Sequence, residues 1–338
     1  MDYNFDAIIE RRGTNSIKWR QYPQDVLPLW VADMDFAAPD PIRAALQRFV
    51  EQGVLGYEFP TKELCETVAA RMQTLYGWRV SPEAVVATPG VVAGFTLATN
   101  AFCSAGQGLL VQPPVYPPFL KVHVSVGLVR QDAPLALETD GSSLRYSVDF
   151  DIFQKAVHSG GAKTGMFLFC NPHNPTGQVY TKDELARMAD ICLKNDILIC
   201  SDEIHSEILL GGTKHLPIAA LDPEIANRTI TLIAPSKTFN VPGLFRDLLV
   251  KFVRDEMDGI KTTVPDATYL AWLDCTEMIK SGKIRGTPHE FFLKSAKVAL
   301  NEGRDFGLGG EGFTRLNFGC PRASLVEALT RMKSALGV

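Results

Sequence analysis

A lysine placed just past a short apolar run is the first residue to weigh for chemistry. In Thr231–Leu244, TLIAPSKTFNVPGL, residues 231–234 read as a buried strand that Pro235 ends, with Ser236 and Lys237 directly after it. The carboxyl end of a buried strand is where α/β sheets place their ligands. A lysine there can form a Schiff base when its surroundings keep the amine partly deprotonated. Taken alone, the same pair is also an ordinary solvated turn.

Other stretches supply complementary chemistry. In Asn171–Gly177, NPHNPTG, two Asn-Pro steps favour an extended loop and leave the Asn174 amide to meet a ring hydroxyl or a carboxylate. Ser201–Glu207, SDEIHSE, opens at a strand end. A buried Asp202 would keep a pyridine-type ring nitrogen protonated, gaining roughly 4 kcal/mol at about 4 Å and an effective dielectric near 20, before desolvation. A helix N-cap is the competing reading of Asp202. Tyr116, between prolines in QPPVYPPF, is a held ring that can stack on a flat heteroaromatic group, or a loop aromatic closing the core's edge. Thr88–Val92, TPGVV, opens a helix whose first amides suit a phosphate, or is a plain strand-to-helix turn. Arg315, in FTRLNFGCPR, matches a substrate α-carboxylate with two parallel hydrogen bonds; an exposed strand arginine is the alternative, with Arg322 as a weaker competitor. Together these are the parts of a pyridoxal phosphate site. Two glycine-rich stretches are set aside. SGGAKTG (159–165) lacks phosphate-loop spacing, and GLGGEG (307–312) precedes a strand rather than following one.

The elements that must position these residues follow from periodicity. Strands are expected at 84–87, 108–111, 128–131, 166–170, 197–201 and 229–234, with helices at 91–102, 150–158 and 182–194. That alternation predicts an α/β fold with a mostly parallel central sheet covered by helices on both faces. Five strand ends then deliver the unusual residues to one edge. The tail, with strand-like 268–273 and 313–318 and helices 288–300 and 324–336, reads as a smaller α+β lobe. Residues 1–45 form an arm that packs with that lobe, 46–250 the large domain, and 251–338 the C-terminal small domain.

Composition sets the outer bounds. The 338 residues are 46% hydrophobic and 21% charged, as in a globular protein with a sizeable core. A formal charge of −4 gives no basic field for nucleic acid. Neither a signal-peptide pattern nor a membrane-length apolar run is present, so a cytoplasmic setting is expected. Seven scattered cysteines without a C-x-x-C pair point to reduced thiols rather than disulfides or zinc.

In chain order, WVADMDF, GYEFP, TPGVV, QPPVYPPF, NPHNPTG, SDEIHSE, APSKTFNVPGL and RLNFGCPR together resemble fold type I pyridoxal-phosphate enzymes of the aminotransferase superfamily. More narrowly, the chain resembles the cystathionine β-lyase or cysteine C–S lyase branch, the MalY/PatB group. The resemblance implies pyridoxal 5'-phosphate as cofactor, with Lys237 as Schiff-base residue and proton shuttle. It implies Asp202 on the ring nitrogen, and Asn174 and His205 toward the phenolic oxygen. Tyr116 would stack on the ring, while the amides of Val91 and Val92, with Ser236, would hold the phosphate. Tyr57 would reach the phosphate of a partner subunit in a homodimer. Arg315 would clamp the substrate carboxylate, with the Ala32-Asp33 loop closing over it. The implied reaction is β-elimination from cystathionine or related cysteine S-conjugates, giving a thiol, pyruvate and ammonia. Transamination by the same residues, or a degenerate non-catalytic relative, are the alternatives. One departure stands out: after Leu244 the chain runs directly into a helix-like segment at Phe245. A stretch of roughly fifty residues, including a strand that returns through the sheet, is missing there relative to the family.

Overall fold

The computed structural model describes residues 3–56, 59–239 and 245–338. Tyr57, and residue 244 of the Leu244–Phe245 junction, lie outside these. Five strands form the central sheet: β1 (Gly108–Val111), β2 (Val129–Asp132), β3 (Thr164–Cys170), β4 (Leu198–Asp202) and β5 (Thr229–Leu232). All are parallel, in the spatial order β2-β1-β3-β4-β5. The order reverses between β1 and β3, which opens a crevice at their carboxyl ends.

The apolar runs become strands because both faces of the sheet are covered. Leu109, Val111, Met166, Leu168 and Cys200 pack on one side around Phe95 and Phe119. Their neighbours Leu110, Phe167, Phe169 and Ile199 pack on the other around Phe153, Leu185, Met188 and Trp272. Helix Lys182–Lys194 lies on this second side, started by a full capping box in which Thr181 and Glu184 exchange hydrogen bonds.

A second sheet runs Asn301–Glu302, Phe313–Asn317, Leu270–Asp274, Lys261–Thr263, Ser143–Ser147 and Ala136–Asp140. Its last two strands form a hairpin drawn from the middle of the chain, inside the stretch assigned to the large domain. Behind its C-terminal strands sits a core of Leu249, Val253, Leu273, Phe292, Leu316 and Leu329. The N-terminal arm reaches this lobe through Leu27–Pro28, which pairs in parallel with Val298–Ala299.

Three expectations are corrected. Residues 84–87 form no strand: Pro82–Ala84 is a 3-10 turn, Val85 is extended, and Val86 is 79% exposed. The physical reason is the lack of a neighbour, since among the described residues no strand lies beyond β5. The helix expected over 288–300 breaks up. It is helical at Pro288–Phe291, makes a π turn over Phe292–Ala296, and turns through left-handed Lys297 into strand Val298–Ala299. Strand β5 stops at Leu232, short of residue 234, because Pro235 opens the short helix Pro235–Thr238 that carries Lys237.

Candidate active site

The carboxyl ends of β1, β3, β4 and β5 bring the sequence candidates together. Lys237 sits one turn into its short helix, and its Nζ donates to the carbonyl of Ala32, from the N-terminal arm. Burial lowers the ammonium's pKa, with Arg315 pulling the same way and Asp33 and Asp202 opposing. That is the direction a lysine nucleophile needs.

Asp202, the last residue of β4, is buried, and one carboxylate oxygen accepts the Ile204 amide at 3.1 Å. No helix follows it, so the capping alternative falls away. Burial pushes this carboxyl up to about 7, with Glu203 adding to the shift and Lys237 opposing it. A group so raised gains from a cationic N–H donor. His205, three residues on, is buried with Nδ1 lacking a partner and its ring edge-on to Tyr269 at 5.8 Å. Burial, then Lys237 and Arg315, bring its pKa down to about 3, so the imidazole is neutral.

The crevice between β1 and β3 supplies Tyr116 and Asn174. Tyr116 follows β1 and lies within the electrostatic reach of both Arg315 and Asp202; burial raises its hydroxyl's pKa. Asn174 is buried in the loop after β3 and accepts from Arg315 Nη1 at 2.9 Å.

Arg315 comes from the second sheet, in register with Trp272 on one side and Asn301 on the other. Its guanidinium is buried and packs 5.1 Å from the Phe306 ring centroid. Its three partners are neutral acceptors: Asn174 Oδ1, the Trp30 carbonyl at 2.9 Å, and Asn301 Oδ1 at 2.5 Å. The Nε hydrogen has none. Burial without an anion brings the pKa down to about 10. A buried cation with a free N–H is half of an ion pair, and a carboxylate completes it. The competitor Arg322 is exposed at the start of the last helix.

Gly90, with φ +107°, caps helix Val91–Phe102 without any side-chain hydrogen bond, which leaves its first amides for another acceptor. Close packing puts that helix start beside β5. A Cβ added at Gly94 would stand 3.1 Å from Leu232 Cδ2 and 3.3 Å from Thr88 Oγ1. Val91 is buried, while Val92 and Ser236 are exposed. Ser236 adjoins Lys237 in the same helix.

Sequence reasoning missed how firmly the arm is held. Five consecutive carbonyls, Trp30 to Met34, each accept a side-chain donor. Arg315 takes Trp30, and Asn317 takes Val31 at 2.7 Å and Asp33 at 2.9 Å. Ala32 is held by Lys237 and by the Tyr269 hydroxyl at 3.1 Å. Lys18, fully buried, reaches the Asp33 carbonyl and the Asp35 carboxylate, both at 2.7 Å, and Arg11 takes Met34 at 3.0 Å. The signal for Asn317 was present in RLN: two residues past Arg315 on one strand, it shares that residue's face.

Among the described residues, no helix is long and apolar enough to cross a membrane, and no group of His, Cys, Asp and Glu converges as a metal site. All seven cysteines are free.

Comparison with known proteins agrees with this geometry. Residues 24–246 match the model of the family described as aminotransferase class I and II. The chain is 34% identical to cystathionine beta-lyase PatB of Bacillus subtilis, covering 98% of this chain and 100% of that protein. That alignment spans 394 positions against a chain of 338 residues, so at least 56 positions of the relative have no counterpart here. The fold superposes on the PLP-bound C-S lyase from Staphylococcus hominis with a TM-score of 0.91 at 28% identity, covering 99% of this chain and 98% of that one. It superposes on cystalysin from Treponema denticola, which contains a pyridoxal 5'-phosphate cofactor, with a TM-score of 0.89 at 29% identity, covering 100% and 99%.

Proposed function

We propose, from the premise that the chain belongs to the aminotransferase class I and II family, that it is a pyridoxal-phosphate-dependent carbon–sulfur lyase. The observation that carries the substrate class is Arg315, a buried guanidinium with only neutral partners and a free Nε, waiting for an α-carboxylate.

The residues present fit the cofactor. Asp202 is a carboxyl raised by burial, His205 holds an unpartnered Nδ1, and the helix starting at Val91 has uncapped amides. Asp202 would hold the proton on the ring nitrogen. Asn174 and His205 would face the phenolic oxygen, and Tyr116 the ring plane. Val91, Val92 and Ser236 would take the phosphate, and Lys237 would make the covalent link. When bound, pyridoxal phosphate supplies an acceptor for the electron pair released at a substrate's Cα.

The chain's own residues do the rest. Arg315 fixes the amino acid by its carboxylate, which orients the Cα–H bond toward Lys237. Burial lowers the lysine's pKa, which favours the neutral amine whose Nζ can take that proton. Loss of a thiolate from Cβ and hydrolysis then yield a thiol, pyruvate and ammonia from cystathionine or a related cysteine conjugate. In this reading Tyr57 of one subunit reaches the phosphate site of a partner in a homodimer.

The names of the relatives favour elimination over transamination; the residues serve either. The test is to supply cystathionine without a keto acid. A thiol, pyruvate and ammonia in equal amounts are expected. Amino transfer to an added keto acid with no thiol released would assign the chain to the aminotransferase side instead.

A further inference from the structure

We propose that Asn317 and Tyr269 are positioning residues, which hold segment 30–34 as the fixed wall of the substrate pocket. The inference rests on the functional reading above, because it concerns where that reading's substrate sits. Of the donors on this segment, Lys237 and Arg315 are the two groups assigned to the reaction. Both must engage substrate, so neither can also be the permanent anchor of the wall. Lys18 and Arg11 hold it from the N-terminal side, at Asp33 and Met34. The anchors nearest Arg315 are Asn317 and Tyr269.

Asn317 is built for this task alone. It is fully buried, and its amide nitrogen donates to both Val31 and Asp33 carbonyls, while its Oδ1 accepts the Gly319 amide at 2.8 Å. Two carbonyls on one side and an N–H on the other fix which way the amide faces. It stands on the same face of strand Phe313–Asn317 as Arg315, so wall and carboxylate clamp share one rigid support. Tyr269, one residue before the neighbouring strand Leu270–Asp274, is buried, its hydroxyl on the Ala32 carbonyl at 3.1 Å. That carbonyl is the one Lys237 must release. Once it does, Tyr269 is its remaining side-chain donor among the described residues, and the wall keeps its place while the lysine works.

Two variants test this. Asn317→Asp keeps the shape but turns a carboxylate oxygen toward two carbonyls; Tyr269→Phe removes one hydroxyl and keeps the ring. Each is measured three ways on the cofactor-loaded protein. The readings are cofactor content, the L-cystathionine concentration giving half-maximal change in cofactor absorption, and hydrogen–deuterium exchange over residues 30–35. Cofactor content should stay at the wild-type level. Half-saturation should rise about tenfold for Tyr269→Phe and about a hundredfold for Asn317→Asp, one neutral hydrogen bond against two. Exchange over 30–35 should quicken in both, with or without cystathionine. Wild-type half-saturation in Tyr269→Phe, or unchanged exchange, would overturn the proposal. So would loss of cofactor in step with loss of substrate binding. Tyr269→Phe carries the test if Asn317→Asp does not fold. A wild-type protein that yields no pyruvate sinks the lyase reading alone, because exchange over the segment is read without substrate.

Discussion

Replacing Arg315 with lysine keeps the charge and should still disable substrate capture. The guanidinium already spends hydrogens on Asn174 Oδ1, the Trp30 carbonyl and Asn301 Oδ1, and has Nε left for a carboxylate. An ammonium carries three hydrogens, and those three buried acceptors consume them all. Leaving any of the acceptors unmet costs about 1–3 kcal/mol, so the lysine has no donor to spare. A carboxylate held by the one charge-assisted hydrogen bond that Nε offers gains about 1.5–3 kcal/mol. At 1.4 kcal/mol per factor of ten, Arg315→Lys should lose about ten- to a hundredfold in kcat/KM. Since the clamp acts in ground and transition states alike, KM should carry most of the loss. The assay compares cystathionine with an analogue lacking the α-carboxylate. Wild type should strongly prefer the amino acid; the variant should handle both alike and treat the amine as wild type does. An equal loss on both compounds would show that Arg315 supports the site as a whole, and would refute the clamp.

Three further outcomes are expected. Borohydride reduction of the loaded protein followed by peptide mapping should place the pyridoxyl label on Lys237; a label on another lysine would unseat it. Asp202, raised to about 7 by burial, keeps in the folded state a proton that the unfolded chain gives up near 4. The cofactor-free protein should therefore have this contribution in full below about pH 4 and lose it, up to about 4 kcal/mol, as pH rises toward 7. In Asp202→Asn the melting temperature of the cofactor-free protein should fall less across pH 5–8, and identical profiles would contradict the burial account. Inserting a relative's missing segment after residue 244 should raise the melting temperature by several degrees, because Val86 and Ile233, 79% and 37% exposed, regain cover worth about 2–3 kcal/mol. Equal melting temperature and turnover in the two chains would show the segment to be dispensable.

The site was legible where residue type and strand end coincide. Lys237, Asp202 and Asn174 each come at or just past the end of an apolar run that reads as a strand, and the sheet puts all three ends on one edge. Arg315 was legible as a lone cation in an apolar stretch, and the structure adds the reason it matters, which is the want of an anion. Less was readable where meaning depends on a distant partner. The hairpin Ala136–Asp140 and Ser143–Ser147 has exposed, polar positions along its first strand, and it finds its sheet only by pairing with Lys261–Thr263, over a hundred residues on. The anchors Tyr269 and Lys18 carry no local signature either, since each is defined by a carbonyl of the 30–34 segment far away in sequence. The break of the expected helix at Lys297 depends on pairing between Val298–Ala299 and the N-terminal arm, which periodicity does not register.

The mistaken strand at 84–87 is the most informative of these, because its sequence suits a strand and no described strand lies where it could pair. Ala84–Ala87 has the apolar residues and Val85 the extended backbone, yet a strand exists only by pairing. The pairing site is traceable. The helix that follows, Val91–Phe102, packs against Leu232 through Gly94, which brings the end of this segment alongside β5. Among the described residues, strand β5 in turn pairs only with β4, and all four of its residues are partly exposed, whereas β1 is wholly buried. Among the described residues, an extended segment without a strand partner and a sheet edge without a neighbour thus lie side by side in a chain that lacks at least 56 positions of its relative. Partial exposure also changes the energetic reading. The outward backbone groups of β5 can be met by water, so the loss is chiefly one of apolar cover rather than of orphaned buried hydrogen bonds. Asn174, Asp202 and Arg315 are anchored on β3, β4 and the second sheet, away from that edge. Of the groups assigned to the cofactor, those beside that edge are the helix start at Val91 and the turn carrying Ser236 and Lys237, so phosphate retention is where the lack of cover at β5 should be felt first.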